Sequence, residues 1–204
     1  VLTRQQEAAI DAQIQAAIQR ATPTTKSEAE RIFDTAIAFQ SAAERCCEMK
    51  NPAPGILDAP IVVGIVNYAF AIELHLKSLL SAHSMLTKGH QLRTLFDQLP
   101  QISKTGIETA YHTTTLRTAA ELATDLDAIA NAFVDWRYLF EQNSAQLSMY
   151  RLIKIAKSMY IATRAEFPGW HVEQYLDAMI RAEPSNFAAS IASFGGGQMM
   201  QVQL

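Results

Sequence analysis

From Ile61 to Leu80 the chain is apolar on nearly every side of a helical wheel, and a helix of that kind belongs at the centre of its domain. Glu73 and Lys77 are written into it nonetheless. They lie four residues apart on one face, with the carboxylate N-terminal to the ammonium, the favourable order for an ion pair. A charge buried there without a partner would be costly. Two other segments offer partners. One is Gly89-His90-Gln91-Leu92-Arg93-Thr94-Leu95-Phe96; the other is Phe133-Val134-Asp135-Trp136-Arg137-Tyr138-Leu139-Phe140-Glu141, where Arg137 and Glu141 repeat the spacing. The expectation is a polar centre inside an apolar helical core, with the charges of the two helices facing each other.

That centre has two readings. As a clasp it fixes helix register. As a site it binds or cuts a phosphodiester, with Arg137 stabilising negative charge and Glu73 or His90 moving protons, and with Glu141 as a further catalytic candidate. Asn67, Lys77, Trp136 and Tyr138 lie on the same segments and are the candidate ligand-binding residues. Lys154 joins them from a small basic stripe, Arg151, Lys154 and Lys157, which reads as a solvated face and as the first place for a phosphate-backbone contact.

A chain of 204 residues that is 49% hydrophobic and 18% charged can bury one substantial core and is not built for disorder. A net charge of −3 excludes a globally basic, nucleic-acid-coating protein, so any RNA contact is local. Cys46 and Cys47 are adjacent and cannot form an ordinary disulfide with each other, which points to reduced thiols in a cytoplasm. Val1 to Glu7 lack the apolar core of a secretory signal. The apolar run Ile61 to Ile72, broken by Gly64 and Asn67, falls short of the roughly 18 to 20 residues that span a bilayer. A soluble cytoplasmic protein without a membrane partner is expected. His75, His83 and His112 have no partners at metal-ligand spacing, so no metal or cofactor is expected.

The pattern of apolar residues predicts an all-α fold, an antiparallel helical bundle with additional peripheral helices, and no strand. Residues 1–23 form an N-terminal helical arm capped by Thr3. Residues 24–183 form the bundle, and 184–204, with Gly195 to Gly197, form a flexible tail. Within the bundle, Ser27 and Glu30 make a capping box for a helix to about Met49. Short helices are expected over Gln91 to Leu99 and Thr105 to His112. A long one follows over Leu116 to Gln142, then Ala145 to Phe167, then Val172 to Ala182.

The stretch Asn67 to Leu80, the Gly89-His90-x-Leu-x-x-Leu-Phe segment and the segment Phe133 to Glu141 resemble the HEPN-like all-helical proteins of bacteria, over roughly residues 30 to 165. The resemblance implies an antiparallel bundle that dimerises. Many such proteins are metal-independent ribonucleases of toxin–antitoxin, phage-defence or RNA-processing systems, and others have lost catalysis and bind nucleotides, RNA or proteins. Active members carry an arginine followed, after four to six intervening residues, by a histidine. Arg137 matches the arginine, but Glu141, Gln142 and Asn143 follow it and no histidine stands at that spacing. Arg164 and His171 fit the spacing, with Pro168 and Gly169 between them. The resemblance therefore implies a non-catalytic member that binds a ligand or RNA, in a homodimer or with a partner protein from the same operon. The alternatives are an endoribonuclease with a degenerate or dimer-composite site, and a protein-interaction scaffold.

Overall fold

The apolar run folds as a helix of 22 residues, Ile61–Ala82. The rest of the chain is arranged around it in the computed structural model, which describes residues 3–21, 26–47, 50–53, 56–58, 61–86, 88–130, 144–182 and 200–203. In chain order the elements are α1 (Arg4–Ala21), α2 (Glu28–Cys47), β1 (Lys50–Ala53), β2 (Ile56–Asp58), α3 (Ile61–Ala82), α4 (Leu92–Gln98), α5 (Gln101–Thr115), α6 (Ala119–Ala128), β3 (Ser144–Leu147), α7 (Met149–Glu166), α8 (Gln174–Arg181) and β4 (Met200–Gln203). The fold is all-α, an antiparallel helical bundle.

α3 buries Ile65, Tyr68, Ala69, Ile72, Leu76, Leu79 and Leu80, more than one stripe, because helices pack on it from several sides. α2 runs antiparallel to it. The end of α2 meets the start of α3, where a Cβ on Gly64 would lie 2.6 Å from Cys47 Sγ. Farther along, Phe39 meets Phe70 edge to face at 4.5 Å and Phe33 meets His75 at 5.6 Å between ring centroids. α7 runs parallel to α3, since Tyr160 neighbours His75 and Phe167 neighbours His83. α5 runs antiparallel to α7, with Thr114 bonded to Ser158 at one end and Ser103 to Glu166 at the other. The directions of α2, α3, α5 and α7 thus alternate along the chain. α4 and α6 close the main core with Leu92, Leu95, Phe96, Leu122 and Leu126. A smaller cluster of Phe33, Ile37, Tyr160 and Ile180 docks α8.

Several expected boundaries are corrected. α5 begins at Gln101 and not at Thr105, because Pro100, which ends the preceding helix as expected, is also the N-cap of the next. α6 ends at Ala128, where Ala130 turns out to accept a bond from Leu92 N at 3.2 Å, so the long helix from Leu116 does not form as one piece. Its start is set by a capping box of Thr118 and Glu121, after Leu116 has taken a left-handed conformation at φ 61°. The expectation of no strand is corrected by two short antiparallel ladders, β1 with β2 and β3 with β4. The second occupies residues expected to start α7 and to lie in the tail. Nor does the apolar run break at Gly64 and Asn67: Val62–Ala82 has the length and hydropathy to cross a bilayer, but 61% of that window is buried by other helices, as suits a core helix.

Candidate functional site

Glu73 is 1% exposed, and one of its oxygens does all of its bonding among the described residues. Oε1 accepts from Lys77 Nζ at 2.8 Å, one helical turn on, as the spacing predicts, and from His90 Nδ1 at 3.0 Å. His90 reaches it because Gly89, at φ 97°, turns the chain back after α3 in a conformation that L side chains rarely adopt. The Leu92–Ala130 backbone bond then anchors the start of α4. Oε2 of Glu73 is buried and has no hydrogen-bond partner among the described residues.

This arrangement fixes the chemistry of the imidazole. A carboxylate only accepts, so Nδ1 carries the hydrogen, and the lone pair of neutral His90 lies on Nε2. The His90 side chain is 67% exposed and Lys77 is mostly covered. Lys77 and Glu73 cancel in charge. The cluster is therefore neutral while His90 is neutral, and offers acceptors, Glu73 Oε2 and His90 Nε2, more readily than donors. Asn67 is half-buried on α3 but lies six residues before Glu73, about 120° around the helix. Arg137, Glu141, Trp136 and Tyr138 lie outside the described residues, so the meeting of the two charged helices lies outside them too.

The remaining sequence candidates are placed differently. Lys154 and Lys157 are 5% and 6% exposed, which corrects the reading of a solvated basic stripe. Lys154 Nζ sits over the Tyr150 ring at 5.5 Å, and Lys157 donates to the Ala182 carbonyl at 3.4 Å. Arg164 donates to the Trp170 carbonyl, while His171 is exposed and 3.6 Å from Glu173. No hydrogen bond joins Arg164 to His171 among the described residues. Burial raises the Cys47 thiol to about 12, which leaves it unreactive at neutral pH.

Three polar clusters lack any signal in sequence spacing. Asp125, wholly buried, accepts from the Tyr111 hydroxyl and from Arg151 at 3.1 Å, with Arg117 at 3.4 Å, tying α5, α6 and α7 together. His83 Nε2 lies 2.6 Å from Glu166 Oε1, and Ser103 Oγ donates to the same oxygen at 3.0 Å. Ser, His and Glu here do not make a nucleophile relay. Serine and carboxylate both address one imidazole nitrogen, and Ser103 is wholly buried. The third is His75, bonded through Nε2 to Gln40 Oε1 at 3.0 Å and held by burial at about 3. Beside the second cluster, a shallow cleft of about 330 Å³ is edged by Ser27, Glu28, Ser81, Phe167 and Trp170. The two rings stack on each other at 4.4 Å and occupy each other's faces. Among the described residues no three His, Cys, Asp or Glu side chains converge to hold a metal ion.

The geometry defines the class, an all-α bundle with a buried carboxylate that holds an exposed imidazole. Compared with family models, curated proteins and solved structures, the chain matches none.

Proposed function

We propose that the chain is a HEPN-like helical protein that acts by binding and not by cutting, with RNA or a nucleotide as ligand and the Glu73–Lys77–His90 cluster as its centre. The observation that supports this reading is the shared oxygen. A buried carboxylate that holds an exposed imidazole in one tautomer, with acceptor atoms to spare, orients a ligand contact, and a register clasp has no need of the exposed ring. The residues after Arg137 favour the non-catalytic side, because Glu141, Gln142 and Asn143 follow it and no histidine stands at the spacing that active HEPN-like proteins carry. Cytoplasmic location, a homodimer, a partner protein from the same operon and a place in bacterial defence, toxin–antitoxin or regulatory systems follow from the resemblance. Native mass measurement tests the dimer.

A metal-independent endoribonuclease is the second reading, and one feature favours it: His90 Nε2, outward and backed by Glu73, has the form of a general base. One experiment separates the two. Labelled single-stranded RNA is titrated with the protein by fluorescence anisotropy, and total RNA is incubated with it in EDTA. Saturable binding with intact RNA is expected. Absence of binding at high protein concentration sinks the proposal, and shortening of RNA that His90→Ala abolishes replaces it with the ribonuclease.

A further inference from the structure

We infer that His90 is a modification site, whose Nε2 accepts a phosphoryl group from a small donor of the phosphoramidate or acyl phosphate class; this goes beyond the RNA-binding reading and holds whether or not that reading does. The chain's five histidines all lie among the described residues, and they differ in what they leave open. An imidazole attacks with a nitrogen lone pair, so that pair has to be unengaged and within reach of solvent. His75 is wholly buried, with its Nε2 bonded to Gln40. His83 Nε2 is engaged by Glu166 and Ser103. His171 is exposed, but its Nε2 stands 3.6 Å from the Glu173 carboxylate. Two rings keep Nε2 open with Nδ1 fixed behind it. His112 rests Nδ1 on the Arg117 carbonyl at 3.1 Å, a neutral acceptor. His90 rests it at 3.0 Å on Glu73, a carboxylate on the core helix that is 1% exposed.

That difference sets the chemistry. Attack on phosphorus leaves Nε2 bonded to phosphorus while Nδ1 still bears its hydrogen, so the ring gains a positive charge as the bond forms. A carboxylate behind the ring offsets that charge, and a carbonyl offsets it only in part. The step balances without a proton leaving the ring. For a phosphoramidate, the Nε2 pair forms the new N–P bond, the donor's own P–N bond breaks, and ammonia departs with that pair from the protonated amino group. The product is itself a phosphorus–nitrogen compound, so the donor has to hold its phosphoryl group as weakly, which an ordinary phosphate ester does not. The exposure of the ring selects the group transferred. An acyl group on an imidazole open to water is hydrolysed readily, whereas a phosphoryl dianion repels hydroxide and persists.

The test incubates the full chain with potassium phosphoramidate at neutral pH and locates phosphoryl groups by peptide mass mapping under alkaline conditions, where phosphohistidine survives. His90 is expected to be modified roughly tenfold faster than His112 and His171 in the same chain, the scale on which a carboxylate behind an imidazole tunes it. Glu73→Gln should slow His90 to about the His112 rate and leave His112 itself unchanged, which a purely structural role of Glu73 would not produce. Because that buried variant risks unfolding, the comparison of the three exposed rings in the parent chain decides without it. Equal rates at the three rings, or no phosphoryl group on His90, overturns the inference. A folded Glu73→Gln chain in which His90 keeps its rate overturns it too.

Discussion

His75 lies where α2, α3 and α7 meet, with Phe33, Gln40 and Tyr160 around its ring and no exposure to solvent. Burial holds it at about 3, against about 6.5 in an unfolded chain. Between those values the unfolded chain binds a proton that the folded one refuses, so the stability is fully present above the upper value and is lost as pH falls toward the lower. Unfolding free energies from denaturant titration should drop with a slope approaching about 1.4 kcal/mol per pH unit, and His75→Gln should flatten the part of the slope nearest pH 6. A slope unchanged in that variant would place the effect elsewhere. Asp125 makes a complementary case, a buried carboxylate bonded to Arg117, Arg151 and Tyr111. Asp125→Ala leaves a tyrosine and two arginines without their acceptor and should cost about 3 kcal/mol by urea unfolding. A loss under about 1 kcal/mol would mean that the partly exposed arginines find water instead. Neither residue was legible, because their partners lie 8 to 35 positions away on other elements, and such contacts leave no helical spacing. Glu73 with Lys77 was legible, since helical geometry alone puts four-apart residues side by side.

At the scale of elements, close approach decides where the helices cross. Gly64 has room for a hydrogen and no more against Cys47, which sets the distance between α2 and α3. Gly64→Ala should destabilise by about 1–3 kcal/mol, and Cys47→Ala in the same chain should recover most of the loss, since the clash is with the sulfur. Additive losses in the double variant would refute that origin. α8 depends on a different device. Asp177 accepts from the Tyr160 hydroxyl and from Arg181 Nε at 2.9 Å on both oxygens. Burial alone would raise its carboxyl, but these bonds and the charges of Arg181 and Arg164 outweigh it and hold the group below its ordinary value. Docking is thus stabilised above the usual carboxylate range and weakens as pH falls through it. Tyr160→Phe should speed amide exchange across Gln174–Arg181 at neutral pH while exchange in α3 is unchanged; equal rates in variant and parent would show that Ile180 packing alone holds the helix. Helix existence was legible from periodicity, and helix ends were less so. Pro100 reads as a stop and is also the start of the next helix, and Ser144–Leu147 reads as helix and pairs with Met200–Gln203, because that choice is made by a partner strand far along the chain.

The whole molecule follows from one decision, the burial of an apolar helix by its neighbours on several sides. That decision was legible in Ile61 to Leu80, and with it the all-α class and the antiparallel bundle. What composition and periodicity do not carry is the use of the charges placed in the core helix, since a clasp and a binding centre begin with the same ion pair. The two differ in what His90 does. In a clasp it stabilises the bundle; in a binding centre it touches the ligand. Affinity for single-stranded RNA and thermal midpoint, measured together on the parent chain and His90→Ala, separate them. The account predicts RNA binding weakened roughly tenfold with the midpoint nearly unchanged, because an exposed ring contributes little to folding. A lowered midpoint with RNA binding intact, or no RNA binding in the parent, would contradict it.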